Sequence, residues 1–396
     1  MSIVNTALQN IRAKGNLDKY ENRASRYGAW ELFRQQMNDA TPLLSQEQID
    51  RFWSSIGRTF QVPVYDHEDI TISSGVARSL TISDAENTTQ LVTVTPTTLS
   101  WGFTMYPTLY HNNEMGYMID FEKKMTRSLN ALGVVLDNMA VTALTAGKSR
   151  VVNQSLGYTW NTTAEQIEAA AAQKDQFLGA LDAIMMADDY YDQLYVLGGM
   201  PLRDHIFNLM KYGNNNEVNK TLEYLGKKLM FTNRITLGTN EQYNGFIVNA
   251  GSCGVLTRVD RESLYGIKSR TGREWSVEQL PGFDLAVGTM YYESDVDASS
   301  VAGAASADMT ASHKQHFGFS LDIAFVTPYN SHNGGTAAAY DATHTYAADD
   351  LCISGTTVYK SLVNSNVGNA VTDTTKWQAV DTVNPASILK FAAKTT

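Results

Sequence analysis

The chain has 396 residues, enough for two or three domains and a sizeable core. It is 43% hydrophobic and only 18% charged, below the usual quarter, and its wealth of Thr, Ser, Asn and Tyr suits broad protein–protein contact. A net charge of -10 and a pI near 5.2 argue against a nucleic-acid-binding domain, whose phosphate contacts need clustered Lys and Arg, but are compatible with an acidic wall along which packed DNA slides.

Residues 1–28 are polar and of both charge signs, with few large apolar residues besides Ile3, Val4, Leu8, Ile11 and Leu17. They read as an arm that orders against a partner. There is no basic then apolar leader at the start and no run of 18 apolar residues, so neither secretion nor a membrane span is expected. Gly28 precedes a short helix with Trp30, Phe33 and Met37 on one face, broken by Thr41-Pro42. Ser45-Gln46-Glu47-Gln48 is a capping box for a second helix over 46–57.

Residues 60–110 favour strands and alternate, with Ile70, Ile72, Leu80, Ile82, Leu91 and Val94 as apolar positions. Turn formers cluster at Ser83-Asp84-Ala85-Glu86-Asn87, which predicts the tip of one long hairpin. Pro96 cannot donate a ladder bond and marks an edge in the return arm. Two arms of about 20 residues would reach roughly 60 Å, against a radius of gyration of about 21 Å for a compact chain of this length. A two-stranded ribbon is marginal alone, so it must lie on something, and a second copy of the chain is the economical candidate.

A long helix is predicted over 114–146. Met118, Phe121, Met125, Leu129, Leu132, Leu136, Met139 and Ala143 form its apolar stripe, and Gly147 ends it. Gly133 and the alanines argue for packing on a sheet rather than a coiled-coil seam. A helix over 162–187, started by Thr162-Thr163-Ala164-Glu165, leads to a strand at 194–197 and a helix opened by Pro201. Further strands at 234–237, 245–249 and 253–258 complete a mixed α/β subdomain. Strands over 285–293 and 315–327 flank an Ala/Ser/Asp/Gly-rich loop and make a second long hairpin. After a linker at 332–339, a small β module occupies 340–380, and a last strand at 388–392 returns to the main sheet.

The search for chemistry finds little. Ala146-Gly147-Lys148-Ser149 looks like the end of a phosphate-binding loop, but Thr142 stands where the first Gly is needed. His313 and His316 read as a surface pair, Asp188-Asp189 as a solvated helix end, and Cys253 and Cys352 as free thiols. No catalytic, cofactor or metal site is expected, and no enzyme.

The order of these elements resembles the major capsid protein of tailed bacteriophages, a fold shared with herpesvirus capsids. The resemblance covers roughly residues 1–330 and the last strand. It implies an α+β fold with an N-terminal arm and short helices (1–59), an extended E-loop (60–110) and a spine helix of the peripheral domain (111–159). It further implies an axial domain (160–280), the peripheral-domain hairpin (281–330), a small all-β module (336–382) and a C-terminal strand (383–396). The implied function is a subunit that self-assembles through hexamers and pentamers into an icosahedral virion shell around double-stranded DNA, formed in the host cytoplasm. The ribbon residues Ile70, Ile72, Leu80, Ile82, Leu91 and Val94 would make the intersubunit contacts. Implied partners are the chain itself, a portal protein, packaged DNA bound without sequence preference, and a decoration protein. A separate scaffolding protein is expected because only a short arm precedes the core. No Lys lies in 60–110, so the E-loop cross-link of some family members is not available.

Within the module, Tyr346, Asp350-Leu351, Gly355, Val358-Tyr359-Lys360-Ser361, Gly368-Asn369 and Trp377 resemble a small chitin-binding-like carbohydrate module. The family pattern has Gly where Asp349 stands and often Pro where Val371 stands. That resemblance implies host-surface or environmental glycans as ligands, with Tyr346, Tyr359 and Trp377 as stacking rings. The same rings would otherwise be the core of so small a module. The alternatives to a virion subunit are a glycan-binding adhesion protein acting through 336–382, and a cellular compartment shell of the same fold.

Overall fold

A computed structural model describes residues 27–40, 42–55, 59–64, 90–107, 114–211, 223–224, 226–259, 273–280, 283, 285–296, 312–327, 338–355, 357–382 and 385–395. The helices are α1 (Gly28–Met37), α2 (Gln46–Ser54), α3 (Glu114–Gly147), α4 (Lys174–Ala187) and α5 (Met200–Lys211). The strands of the first half are β1 (Phe60–Val64), β2 (Gln90–Val94), β3 (Thr97–Met105), β4 (Thr159–Asn161), β5 (Gln166–Ala169), β6 (Leu194–Gly198), β7 (Glu223–Tyr224) and β8 (Lys227–Phe231). Those of the second half are β9 (Glu241–Asn249), β10 (Gly254–Arg258), β11 (Arg273–Leu280), β12 (Leu285–Val296), β13 (Ser312–Val326), β14 (Ala338–Ala339), β15 (Leu351–Ser354), β16 (Thr357–Ser361), β17 (Trp377–Thr382) and β18 (Ile388–Lys394). The architecture is a mixture of helix and sheet.

The capping box forms as read. Ser45 Oγ accepts from the Gln48 amide at 3.3 Å and Gln48 Oε1 accepts from the Ser45 amide at 2.8 Å. The helix ends at Ser54, three residues earlier than expected.

The segment read as one hairpin is two structures. β1 and β2 pair antiparallel from Phe60 opposite Val94 to Val64 opposite Gln90. The chain then breaks at Thr95-Pro96, where proline supplies no amide to continue the ladder. β3 departs to pair with β13 instead, Trp101 opposite Phe319 and Thr98 opposite Asp322. The expected tip at 83–87 lies outside the described residues.

The 34-residue α3 is about 50 Å long. Phe121, Met125, Leu129, Leu132, Leu136, Ala140 and Leu144 are all at most 5% exposed, at steps of 3 and 4. Beyond Leu136 the buried line runs through Ala140 and Leu144, with Met139 and Ala143 beside it, only half-buried. The stripe contributes to a core that also holds Trp30 and Phe33 of α1, Phe317 and Phe319 of β13, Tyr195 of β6 and Ile388 of β18. By length and composition α3 would pass for a membrane span, with a mean hydropathy of 1.4 in its most apolar stretch. Here that apolar face is used in contact with sheet and helix.

Two sheets flank this core. The first has five strands in the order β10-β13-β12-β11, with β3 also on β13. The second has seven in the order β4-β5-β18-β9-β6-β8-β7. β10 and β11 fall within residues 160–280, yet both pair in the sheet of the long hairpin. β18 is central to the second sheet, parallel to β5 and antiparallel to β9.

Two expected elements differ. The helix read over 162–187 begins only at Lys174. Asn161 Oδ1 accepts from the amides of Thr163 and Ala164 at 3.0 Å each and turns the chain. Gln166–Ala169 is then a strand: Ile167 and Ala169 enter the core beside α4, while Glu168 meets Gln166 at 2.8 Å and Lys394 at 2.9 Å. That polar–apolar alternation was hidden by the alanines that follow. The strand expected at 234–237 is β8 instead, displaced toward the N-terminus. Lys227, 2% exposed, sits in it with its charge held by Asp182 at 2.9 Å, so a buried strand begins on a residue that reads as surface.

The small module is a four-stranded sheet in the order β14-β15-β16-β17, inserted between β13 and β18. Its meeting with the body is a small apolar cluster of Val151 with Ile353 and Val358.

Gly133 of α3 faces the Tyr27 ring so closely that a Cβ would lie 2.2 Å from a ring carbon. Tyr27 is fixed there by its hydroxyl bond to Asn130 O at 3.1 Å and by stacking on Phe283. Gly133→Ala is therefore expected to destabilise the fold by about 1–3 kcal/mol despite its better helix propensity. In a Tyr27→Ala background the same change is expected to become neutral or stabilising. Urea unfolding of the four proteins of this cycle checks it.

Candidate functional site

The β1–β2 ribbon is seated on the body through a compact foot. Val62 of β1 and Val94 of β2 pack with Leu44, Phe52 of α2, Leu256 of β10 and Ala324 and Val326 of β13. Phe60 meets Phe52 edge to face at 5.4 Å between centroids.

Behind the foot lies a buried ion pair. Arg258 Nε donates to Asp322 Oδ2 at 3.0 Å, with side chains 7% and 6% exposed. Asp322 lies opposite Thr98 on one neighbouring strand and opposite Arg258 on the other. Its second oxygen accepts from Thr98 Oγ1 at 2.6 Å. Arg258 Nη1 donates to Ser55 O at 3.1 Å and to Ser55 Oγ at 2.9 Å, and its guanidinium lies 5.2 Å from the Phe52 ring centre. One carboxylate thus joins three strands, and its guanidinium partner carries the link to the end of α2. The pair fixes where the ribbon is rooted and, through Thr98, where the chain re-enters the sheet.

The predicted contact residues fare unequally. Ile70, Ile72, Leu80 and Ile82 lie outside the described residues. Leu91 is in β2 opposite Pro63. Val94, at 8% exposed, is packed into the foot of its own subunit and offers nothing to a neighbour. Arg258 and Asp322 were missed, although the sequence holds a signal. A lone Asp in the apolar run Leu321-Asp322-Ile323 must find a partner if the strand is buried.

In the module, Tyr346 is 4% and Trp377 2% exposed. Their rings meet edge to face at 5.0 Å, and Tyr340 packs against both. Trp377 Nε1 and the Tyr340 hydroxyl both donate to Asn369 O, at 3.0 and 2.7 Å. A module this small uses these rings as its core. Their faces are not open for stacking, and of the three predicted residues only Tyr359 is half-exposed.

The remaining sequence candidates resolve structurally. Lys148 of the loop-like stretch pairs with Glu165, and Ser149, fully buried, donates to Val151 O at 2.6 Å and accepts from the Ala386 amide at 2.9 Å. His316 lies within β13 and is half-buried. Its Nδ1 meets Thr104 Oγ1 at 3.1 Å, its Nε2 meets Ser294 Oγ at 2.8 Å, and its ring stacks on Tyr292. Burial, with Lys314 adding to it, holds its pKa below the usual imidazole value. Cys253 and Cys352 are free and buried. Among the described residues no group of three or more His, Cys, Asp or Glu is placed to hold a metal ion.

Asp188 corrects the picture of a solvated helix end. It is 5% exposed and accepts from the Asn153 amide at 2.9 Å. Burial, reinforced by the charge of Asp189, raises its pKa to about 6 against the pull of that amide.

No protein-family model and no curated protein matches the chain. Among solved structures it is similar to a chain from Mycobacterium phage Adephagia, at 10% identity and a TM-score of 0.40, covering 91% of this chain and 93% of that one. It is also similar to a chain from the capsid of cyanophage P-SCSP1u, at 10% identity and a TM-score of 0.36, covering 69% and 81%. A third is a chain from the capsid of an empty GTA particle, at 11% identity and a TM-score of 0.36, covering 73% and 90%. All three fall below a TM-score of 0.5, and the chain's own elements carry the functional reading below.

Asp322→Ala leaves Arg258 buried without its counter-charge and is expected to cost about 3–5 kcal/mol in urea unfolding. The double change Arg258→Met, Asp322→Leu is expected to restore most of that loss. For Asp188, a pKa raised above the unfolded value of 3.8 means stability that is present in acid and lost as pH rises through about 6. Between pH 4 and 7 this group is expected to lower stability by about 2 kcal/mol. Asp188→Asn keeps the Oδ1 acceptor and is expected to remove that slope in thermal unfolding across the range.

Proposed function

We propose that this chain is a structural shell subunit of the tailed-bacteriophage major capsid type, assembling with copies of itself into a closed icosahedral shell. The observation that carries the reading is the β1–β2 ribbon. It is a separate two-stranded sheet among the described residues, and its base is fastened by an apolar foot and, behind that, a buried ion pair. Strands of this kind are not stable without a surface to cover them. A firm root on an arm that needs external cover suits an element meant to lie on a neighbour.

In this reading the segment between β1 and β2 reaches the next subunit, with Ile70, Ile72, Leu80 and Ile82 supplying the apolar contact. The two sheets and α3 form the rigid body that transmits the contact around hexamers and pentamers. The subunit acts mechanically and carries no reaction. A separate scaffolding protein guides assembly, a portal protein occupies one vertex, and a decoration protein adds to stability. Double-stranded DNA fills the interior without sequence-specific binding, consistent with a net charge of -10. The mature protein resides in the virion after assembly in the host cytoplasm.

The test is expression alone and with candidate scaffolding proteins, followed by negative-stain electron microscopy. Closed shells, or rings of five and six subunits, are expected. Ile82→Asp is expected to abolish particles while leaving a folded monomer by circular dichroism. Particles of normal yield from Ile82→Asp would show the ribbon assignment to be wrong, and a wild-type chain that stays monomeric with every scaffold would overturn the shell reading.

A further inference from the structure

We propose that the free edge of β3 pairs with the same edge of a second copy of the chain, antiparallel and centred on Trp101. Among the described residues β3 pairs on one side only, with β13. Its nine residues, Thr97–Met105, hold no charge and no proline. Exposed edges are ordinarily blunted by such residues, because their open amides and carbonyls recruit other strands. The opposite edge of the same sheet follows that rule, since β11 carries Arg273, Glu274 and Glu278.

The strand's own sequence says what covers it. By kind of residue, 98–104 reads the same in both directions. Thr98 and Thr104 stand at the ends, Leu99 and Phe103 inside them, the small residues Ser100 and Gly102 next, and Trp101 at the centre. An antiparallel second copy therefore sets like against like on each face. Leu99, Trp101 and Phe103 pack against the core yet stay half-buried, and cross-strand pairing would complete their cover. Trp101 stacks on Phe319 at 5.5 Å and Phe103 on Phe317 at 5.2 Å, so both rings are already held in place. On the other face Thr98, Ser100 and Gly102 are exposed. Lys124 Nζ donates to Thr104 O at 2.9 Å, which marks the even-numbered residues as those whose amides and carbonyls point away from β13. Ser100 of each copy then exchanges both backbone bonds with Gly102 of the other.

Such a contact is isologous, so it closes at two copies and joins two sheets into one. It rests on the shell reading, in which copies meet about two-fold axes, and names the strand that makes one such contact.

The test uses the full-length, unassembled protein. Cys253 and Cys352 are buried, so an introduced thiol is the accessible one. Ser100→Cys, treated with a short bifunctional methanethiosulfonate, is expected to give a covalent dimer on a non-reducing gel. Thr97→Cys is expected to give none, since its two copies lie roughly 27 Å apart in this register. Ser100→Pro removes an outward amide, and Ser100→Lys sets two like charges diagonally across the axis. Each is expected to raise the dimer dissociation constant tenfold or more in analytical ultracentrifugation. Ser100→Lys keeps the result readable should Ser100→Pro fail to fold, which circular dichroism would show. No cross-link from a folded Ser100→Cys, equal cross-linking from Thr97→Cys, or a folded Ser100→Lys that associates like the wild type overturns the proposal. Shells that form without the Ser100 cross-link sink the edge contact alone, and a cross-linked dimer from a chain that never forms shells sinks the shell reading alone.

Discussion

The structure depends on burying one stripe of one helix. α3 has little else to stabilise a rod of its length, because its opposite face is wet and its helix propensity is interrupted by Gly133. The stripe from Phe121 to Leu144 is closed by residues from both sheets and from α1, so none of these three layers has a complete core without it. Each fully buried Leu, Met or Phe contributes about 1.5–3 kcal/mol, and these contributions are shared between layers rather than belonging to one. A buried carboxylate adds register to this apolar seam. Asp137, 1% exposed, accepts from the amides of Ala29 and Trp30 at the start of α1 and from the Thr232 hydroxyl after β8. Burial raises its pKa, with those bonds opposing. Hydrophobic contact would let α1 slide along α3, whereas three donors aimed at one carboxylate do not.

The ribbon root follows the same logic. Apolar packing at the foot supplies adhesion, and the Arg258–Asp322 pair supplies direction by joining β3, β10 and β13 to the end of α2. Buried ion pairs are weak sources of net stability but strong sources of geometric definition. At the ribbon root the second property is the one that matters, since the apolar foot already supplies the first.

How much of this was legible in the sequence varied with the physics behind each element. The long helix, the capping box at Ser45, the paired strands β12 and β13 and the central strands β6 and β9 all announce themselves through periodicity or local hydrogen bonding. What failed was decided at long range. The alternation of Gln166, Ile167, Glu168 and Ala169 is too short to outweigh an alanine run until Lys394, far along the chain, provides a partner for Glu168. Lys227 hides β8 because only Asp182 makes its burial possible. β11 went unread, since Arg273, Glu274 and Glu278 mask its pairing with β12. At the candidate site, the sequence leaves Tyr346, Tyr359 and Trp377 as either stacking rings or module core, and which faces remain open depends on how Tyr340, Tyr346 and Trp377 pack together.

The place of β18 has a consequence for how the protein is made. It lies between β5 and β9, so the seven-stranded sheet is split in two until residues 388–394 arrive. On the ribosome, everything from the end of β9 through the inserted module is synthesised while the facing edges of β5 and β9 stand open with unpaired amides and carbonyls. Such edges invite pairing with other chains. A nascent chain therefore needs protection between residues 249 and 388, and a chain broken within that interval keeps both edges open. Closure of the sheet is thus a late event, and until it happens those two edges are the part of the chain most open to misassembly.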